Sequence, residues 1–242
     1  MKSRSAISQV LRGGGLALLF STILSFSALA QGDIDQLTAK SFYFGPKGGI
    51  NLSNIANDSG PAGLARIGYS GGGFAYYRII PLVAASVEVQ YLQLGSNRHF
   101  GISYIDAGED AGSNILTHNI DIPVLANVYA PVVGNFQPKL LVGPAFTFNL
   151  YSENISYQYL NIGPTVFPAV TRENRSSEFN LFETALLVGV GADIPLANLL
   201  ITADLRYRQG FTNVTDIVNS SSAISEDNNI FRAWQLTVGV GF

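Results

Sequence analysis

The chain of 242 residues contains no cysteine. That excludes a disulfide scaffold, a thiol catalyst and any cysteine-ligated zinc or iron–sulfur site. Charge is also scarce. Only 13% of residues are Asp, Glu, Lys or Arg, about half the roughly 25% of soluble globular proteins. With 47% apolar residues, the chain is neither disordered nor a coiled coil. A formal net charge of −3 offers phosphates no basic surface, so nucleic acid is not an expected partner. Long apolar runs are missing as well. Beyond residue 30, each is broken by Gly, Pro or a charge, so no spanning helix is expected.

The first 30 residues read as a secretory signal peptide. Lys2, Arg4 and Arg12 form its basic start, 16–26 its apolar stretch, and Ala28-Leu29-Ala30 a small-residue cleavage site before Gln31. The apolar stretch is shorter than the roughly 20 residues of a membrane-spanning helix. Residues 31–41 are expected to be a short periplasmic N-terminal segment, and 42–242 the folded domain. Removing the three positive charges of the leader leaves 11 Lys+Arg against 17 Asp+Glu, a net of −6.

What the domain has in abundance is alternation of period two, the mark of half-buried strands. It recurs in eight segments: 42–53, 67–78, 83–94, 116–129, 137–150, 180–194, 199–211 and 230–242. In 42–53, Phe42, Phe44, Ile50 and Leu52 oppose Tyr43, Lys47, Asn51 and Ser53. In 230–242, Trp234, Leu236, Val238 and Val240 oppose Gln235, Thr237, Gly239 and Gly241. Each segment is long enough to cross a bilayer at a tilt, which takes about 9–11 residues. The connections alternate. Tight ones carry Pro81, Pro131 and Pro195, and long ones span 54–65, 95–114, 151–178 and 212–229. This pattern predicts an all-β protein, an eight-stranded antiparallel up-and-down transmembrane β-barrel.

A soluble β-sandwich or lipocalin-like binder alternates too, but with its polar face in water. Here the polar faces hold Gly, Ser, Thr, Asn and Tyr with few charges, which suits a narrow barrel interior filled by side chains. The charges on that inward parity are Lys47, Glu88, Asp121, Lys139, Glu183, Asp204, Arg206 and Arg208. They include four of each sign. An unpaired buried charge is costly, so these residues are expected to form an ion-pair network inside the barrel. The apolar parity carries Phe42, Phe44, Tyr77, Tyr91, Phe148, Tyr207, Phe211 and Trp234 near strand ends, the expected lipid-facing aromatic girdle. Most of the excess negative charge falls in the long connections.

Motifs for chemistry are few. Gly45-Pro46-Lys47-Gly48-Gly49 lacks the spacing and the following helix of a phosphate loop. His99 lies in a long connection. His118 falls on the lipid-facing parity, with no serine beside it on its own strand. The acidic residues Asp106, Glu109, Asp110, Glu226 and Asp227 follow no known calcium-loop pattern and read as solvated charges. No catalytic residue, cofactor or metal is assigned. Tyr151, Tyr157, Tyr159 and Phe167 in the longest connection could form a binding surface or pack over the barrel mouth.

The stretch from Gly45 to Ser53 resembles the first strand of PorT-like outer-membrane β-barrel proteins. So do Ile122-Pro123-Val124-Leu125, Gly143-Pro144, Gly189-Val190-Gly191 and Arg206-Tyr207 in later strands. The chain end, alternating into Phe242, looks like the signal read by barrel-assembly machinery. The resemblance implies the outer membrane of a Gram-negative bacterium. The expected partners are outer-membrane lipid, the assembly machinery and, through the name-giving branch, components of the type IX secretion system. The expected function is non-enzymatic: a plugged barrel with long extracellular loops in an envelope, surface-interaction or secretion-accessory role. A small pore and a lipid-modifying enzyme are the alternatives. Cleavage after Ala30 predicts that N-terminal sequencing of the membrane-extracted protein begins at Gln31; a sequence starting before Leu16 would show the leader retained as an anchor.

Overall fold

A computed structural model describes residues 41–56, 64–98, 110–162, 165–196, 199–214 and 229–242. The leader, His99, Asp106, Glu109, Glu226 and Asp227 lie outside the described residues. The strands are β1 (Phe42–Ala56), β2 (Leu64–Ile80), β3 (Val83–Arg98), β4 (Asp110–Tyr129), β5 (Gln137–Ile162), β6 (Thr165–Asn174), β7 (Phe182–Leu196), β8 (Leu199–Gly210) and β9 (Ile230–Gly241). All pairings are antiparallel. The sheet closes where β1 meets β9, from Lys47 opposite Gly239 to Ala56 opposite Ile230. Eight strands, β1–β5 and β7–β9, thus form a barrel without an edge. Lipid cannot hydrogen-bond a free strand edge, so closure is what makes a sheet viable in a membrane.

Each of the eight alternating segments coincides with one barrel strand, 180–194, 199–211 and 230–242 overrunning theirs by one or two residues, and their two faces are inverted relative to a soluble protein. Phe42, Phe44, Ile50 and Leu52 of β1 are exposed on the outside, while Lys47, Asn51 and Ser53 are buried in the lumen. The same holds in β9, where Trp234, Leu236 and Val238 are exposed and Gln235 and Thr237 buried.

The region 151–178 departs from the expected loop. β5 continues to Ile162, and β6 folds back on it from Ile162 opposite Thr165 to Glu153 opposite Asn174. The expected strand stops at 150, the last apolar residue of the alternation, yet backbone pairing needs no alternation to continue. Here β5 exchanges β7 for β6 as its partner. Its lower part pairs with β7, ending at Phe148 opposite Phe182. The result is a hairpin arm that stands beyond the barrel. The other end is compact. Pro81 and Leu82 form a two-residue turn, and Gly134 takes a φ of 62° in the turn bridged by Val133 and Phe136. That left-handed conformation suits glycine. Pro195 lies inside β7, opposite Leu200, and not in the turn. An edge or terminal position tolerates proline because the ladder is ending there.

Two inward-facing glycines show how tightly the wall is drawn. A Cβ on Gly49 would lie 2.2 Å from the carbonyl oxygen of Leu236, and one on Gly143 would lie 2.0 Å from that of Val124. The neighbouring backbone occupies the side-chain position, so only glycine fits. Replacing Gly49 or Gly143 with valine is expected to cost about 1–3 kcal/mol or more. The measurement is the fraction of heat-modifiable, folded barrel on an unboiled gel; wild-type folding of both variants would refute the close approach.

Candidate functional site

The lumen is filled by charged and polar side chains from facing walls. At its centre, Lys47 Nζ of β1 donates to Glu88 Oε1 of β3 at 2.8 Å and to Asp204 Oδ2 of β8 at 2.5 Å. The Arg206 guanidinium of β8 forks onto Glu88, with Nη1 to Oε2 at 2.7 Å and Nη2 to Oε1 at 2.5 Å, and also reaches Asp204 Oδ2 at 2.7 Å. Lys139 of β5 joins through Asp204 at 3.0 Å and Asp193 at 2.7 Å. Three cations and three carboxylates are therefore balanced. Arg206 is 0% exposed and Glu88 2%. Paired charges at this depth are held by mutual Coulomb attraction and bidentate geometry.

A second cluster lies nearer the loop end. Arg208 Nη1 donates to Asp121 Oδ1 at 3.0 Å, and Arg208 also hydrogen-bonds Thr147. Thr147 Oγ1 donates to Asp121 at 2.7 Å, and Gln90 Nε2 donates to its other oxygen at 3.1 Å. Glu183 Oε1 stands 3.6 Å from Arg208 Nη2. The eight charges singled out by inward parity all stand in the lumen, divided between these two clusters.

Asp193 belongs to the first cluster although it was not among the eight. Its parity within 180–194 matches that of Glu183, which is the signal that could have found it. Tyr129 donates to Asp193 Oδ2 at 2.6 Å, and Tyr76 donates to Tyr129 at 2.6 Å. These tyrosines extend the network to the turn end, where Tyr43, Phe74, Tyr76, Ala84, Tyr129 and Leu200 pack together. Arg78 covers this end, its guanidinium 4.5 Å from the Tyr129 ring centre. At the loop end Ile55, Leu92, Leu94, Val214, Phe231 and Ala233 form another apolar layer, with Phe179 against it. The ionic centre thus sits between two apolar closures.

The outer surface carries aromatics in two bands. Phe42, Phe44 and Tyr77 face outward at the turn end, and Phe148, Phe211 and Trp234 face outward toward the loop end. Tyr207 packs on Trp234 at 5.1 Å between ring centres, and Tyr91 on Tyr69 at 5.6 Å. His118 continues the second row. It hydrogen-bonds the Tyr91 hydroxyl and stands between the rings of Tyr91 and Tyr151 at 5.9 and 5.8 Å. Among the described residues the ring neighbours of this imidazole are tyrosines. Of the hairpin aromatics, Tyr151 and Tyr157 are exposed; the side chains of Tyr159 and Phe167 lie outside the described residues. At the base of the hairpin, Arg175 bridges Glu173 and Glu178, both at 2.8 Å. These partners raise its pKa above the ordinary guanidinium value. Phe242, exposed at the chain end, donates its backbone N–H to Phe44 O at 3.0 Å.

Among the described residues, no group of three or more His, Asp or Glu side chains is placed to hold a metal ion. A family model described as outer membrane protein β-barrel domain matches residues 29–216. No curated protein matches the chain. Solved structures that it resembles include Ail, the attachment invasion locus protein of Yersinia pestis (16% identity, 84% of this chain and 100% of that one, TM-score 0.38). Neisserial surface protein A is similar at 16% identity, with 84% and 96% covered and a TM-score of 0.40. The outer membrane protein OprG of Pseudomonas aeruginosa is similar at 13% identity, with 83% and 94% covered and a TM-score of 0.42.

Removing one partner from the central cluster leaves opposite charges buried without compensation. Glu88→Ala, which strands Arg206 and Lys47, is therefore expected to destabilise the barrel by about 3–5 kcal/mol. Urea unfolding in detergent measures it. A cost below that of an ordinary surface substitution would show that the cluster contributes nothing to stability.

Proposed function

The chain belongs to the outer membrane protein β-barrel domain family, and from that premise we propose that it is a closed, non-enzymatic barrel whose work is done at its extracellular end. It is an outer-membrane β-barrel protein. The proposal concerns what such a barrel does. One observation carries it: the lumen is occupied from wall to wall by paired charges, with Lys47 and Arg206 each contacting Glu88 and Asp204, between apolar layers at both ends. Passage of a solute would require breaking several buried ion pairs together. Among the described residues, the part that extends beyond the barrel and is free to meet another molecule is the arm formed by β5 and β6, with exposed Tyr157 and Val170.

The lipid-modifying alternative would need a nucleophile activated by His118, which is instead engaged by Tyr91 and stacked by Tyr151. Membership of the PorT-like branch, with an accessory role in type IX secretion, forms part of the same proposal and rests on the sequence motifs. In this reading the aromatic bands anchor the barrel in outer-membrane lipid, and Phe242 is read by the assembly machinery.

Purified protein in planar bilayers is expected to show no stepwise conductance. Stable open channels in the wild type would overturn the closed-barrel reading in favour of a pore. The site of action is tested in cells by shortening the hairpin arm across residues 156–171 while keeping the barrel. Loss of surface binding or of exported cargo, with barrel abundance unchanged, is the expected result. An intact phenotype that is lost only on deletion of the whole gene would move the function to the barrel body.

A further inference from the structure

The polar boundary of the lipid-facing wall can be located on β9, where outward residues alternate with buried ones from Arg232 to Val238. Trp234, Leu236 and Val238 are exposed and apolar. Arg232, two residues nearer the loop end, is exposed and charged. Its neighbours across the sheet are Gln209 of β8 and Asn54 of β1, which makes a polar rung of three side chains. The next rung holds Tyr207, Trp234 and Leu52. Tyr207 points its hydroxyl toward the loop end, donating to Gln209 Oε1 at 3.2 Å. An interfacial tyrosine keeps its ring in the apolar layer and its hydroxyl at the polar edge. The hydrocarbon boundary therefore runs between these two rungs.

Arg232 differs from the other cations described in the barrel strands. Lys47, Lys139, Arg206 and Arg208 are buried in the lumen, and Arg66 and Arg78 are half-buried. Arg232 stands outside, with no carboxylate partner among the described residues. A charge at the edge of hydrocarbon draws a counter-charge, because the low dielectric beside it strengthens the attraction. A lipid that covers Trp234 and Leu236 brings its own headgroup to the level of the Arg232 rung. Where that headgroup carries an anionic phosphate, the planar guanidinium can meet two of its oxygens in a fork. The flanking amides add donors. Gln209 Nε2 gives one N–H to the Gly210 carbonyl at 3.1 Å and keeps a second. Asn54 supplies an amide on the opposite side.

We propose that Arg232, flanked by Gln209 and Asn54, is the headgroup site for a lipid with an anionic phosphate, whose acyl chain lies over Trp234 and Leu236. The guanidinium selects the phosphate, and the apolar column beneath it selects a lipid over the free ion. This rests on the reading that the aromatic bands anchor the barrel in outer-membrane lipid. It adds a preferred headgroup and a fixed place for it, on the face formed by β8, β9 and β1.

Trp234 is the single tryptophan of the chain and stands one rung from the site, so its fluorescence reports the lipid bound there. The folded full-length barrel is reconstituted in phosphatidylcholine vesicles in which a minor fraction of the lipid has brominated acyl chains. That fraction is either phosphatidic acid or phosphatidylcholine, whose phosphate is offset by its own cation. Bromine quenches tryptophan on contact, so quenching measures the relative affinity of the two lipids beside Trp234. Phosphatidic acid is expected to be favoured by about fivefold. Arg232→Gln, at an exposed position, removes the preference, and Arg232→Lys, which keeps the charge without the fork, retains part of it. Inorganic phosphate in the buffer leaves the preference unchanged. Equal quenching by both lipids in the wild type would overturn the proposal and leave Arg232 in water. A preference that survives in Arg232→Gln would overturn it by placing the selectivity elsewhere. Displacement by inorganic phosphate would overturn it in favour of the free ion. Absence of quenching by either lipid would overturn the lipid-anchoring reading as well, a result distinct from loss of headgroup preference.

Discussion

The sheet has to close on itself, and the remaining features of the molecule follow from that constraint. In lipid, each backbone N–H and C=O needs a partner from the protein. Pairing of β1 with β9 supplies the last of them. With only eight strands the enclosed space is narrow, and neighbouring backbones stand against the Cα atoms of Gly49 and Gly143. Polar side chains pointing inward bond to one another and to the strand backbone, as Lys47 does to Glu88 and Ser53 to the Gly95 carbonyl. The outward face, meeting lipid, is free to be apolar. Composition therefore follows geometry: few charges overall, with most of those in the strands paired within the lumen.

The charge arrangement gives the interior a layered character. The central cluster of Lys47, Glu88, Lys139, Asp193, Asp204 and Arg206 is balanced and links β1, β3, β5, β7 and β8 across the lumen. The cluster around Arg208 is acidic by one charge and opens toward the segments that cover the mouth. Apolar layers at both ends limit the reach of water, and this strengthens the attraction between the charges they enclose.

Much of this was legible in the sequence because a strand has a period of two and a barrel wall has only two faces. Once Phe42 and Phe44 were placed outside, Lys47 had to be inside, and the same step assigned Glu88, Asp121 and Arg206. The ion pairs themselves join strands far apart in sequence, so parity could place each residue on a face but could not choose its partner. Asp193 shares its parity with Glu183, but which lysine it meets depends on Lys139 reaching across from β5. The hairpin arm was missed for a different reason. Expected strand ends were set by apolar–polar alternation, whereas residues 151–174 are held by backbone pairing. The apolar closure of the mouth by Phe179 and Val214 required knowledge of how 176–181 and 211–214 fold over it, for which alternation carries no signal.

The central ion pairs also constrain the order in which this chain can become a membrane protein. Glu88 and its partner Arg206 are 118 positions apart, and Lys47 and Asp204 are separated by 157. When the first strands emerge, their lysine and glutamate have no complete set of counter-charges, and a partial sheet would expose them to hydrocarbon together with its open edge. Only arrival of β8 and β9 removes both penalties at once. The buried charges and the open edge thus disfavour the same thing, a partial sheet in hydrocarbon, and pairing of β9 with both β8 and β1 relieves them together.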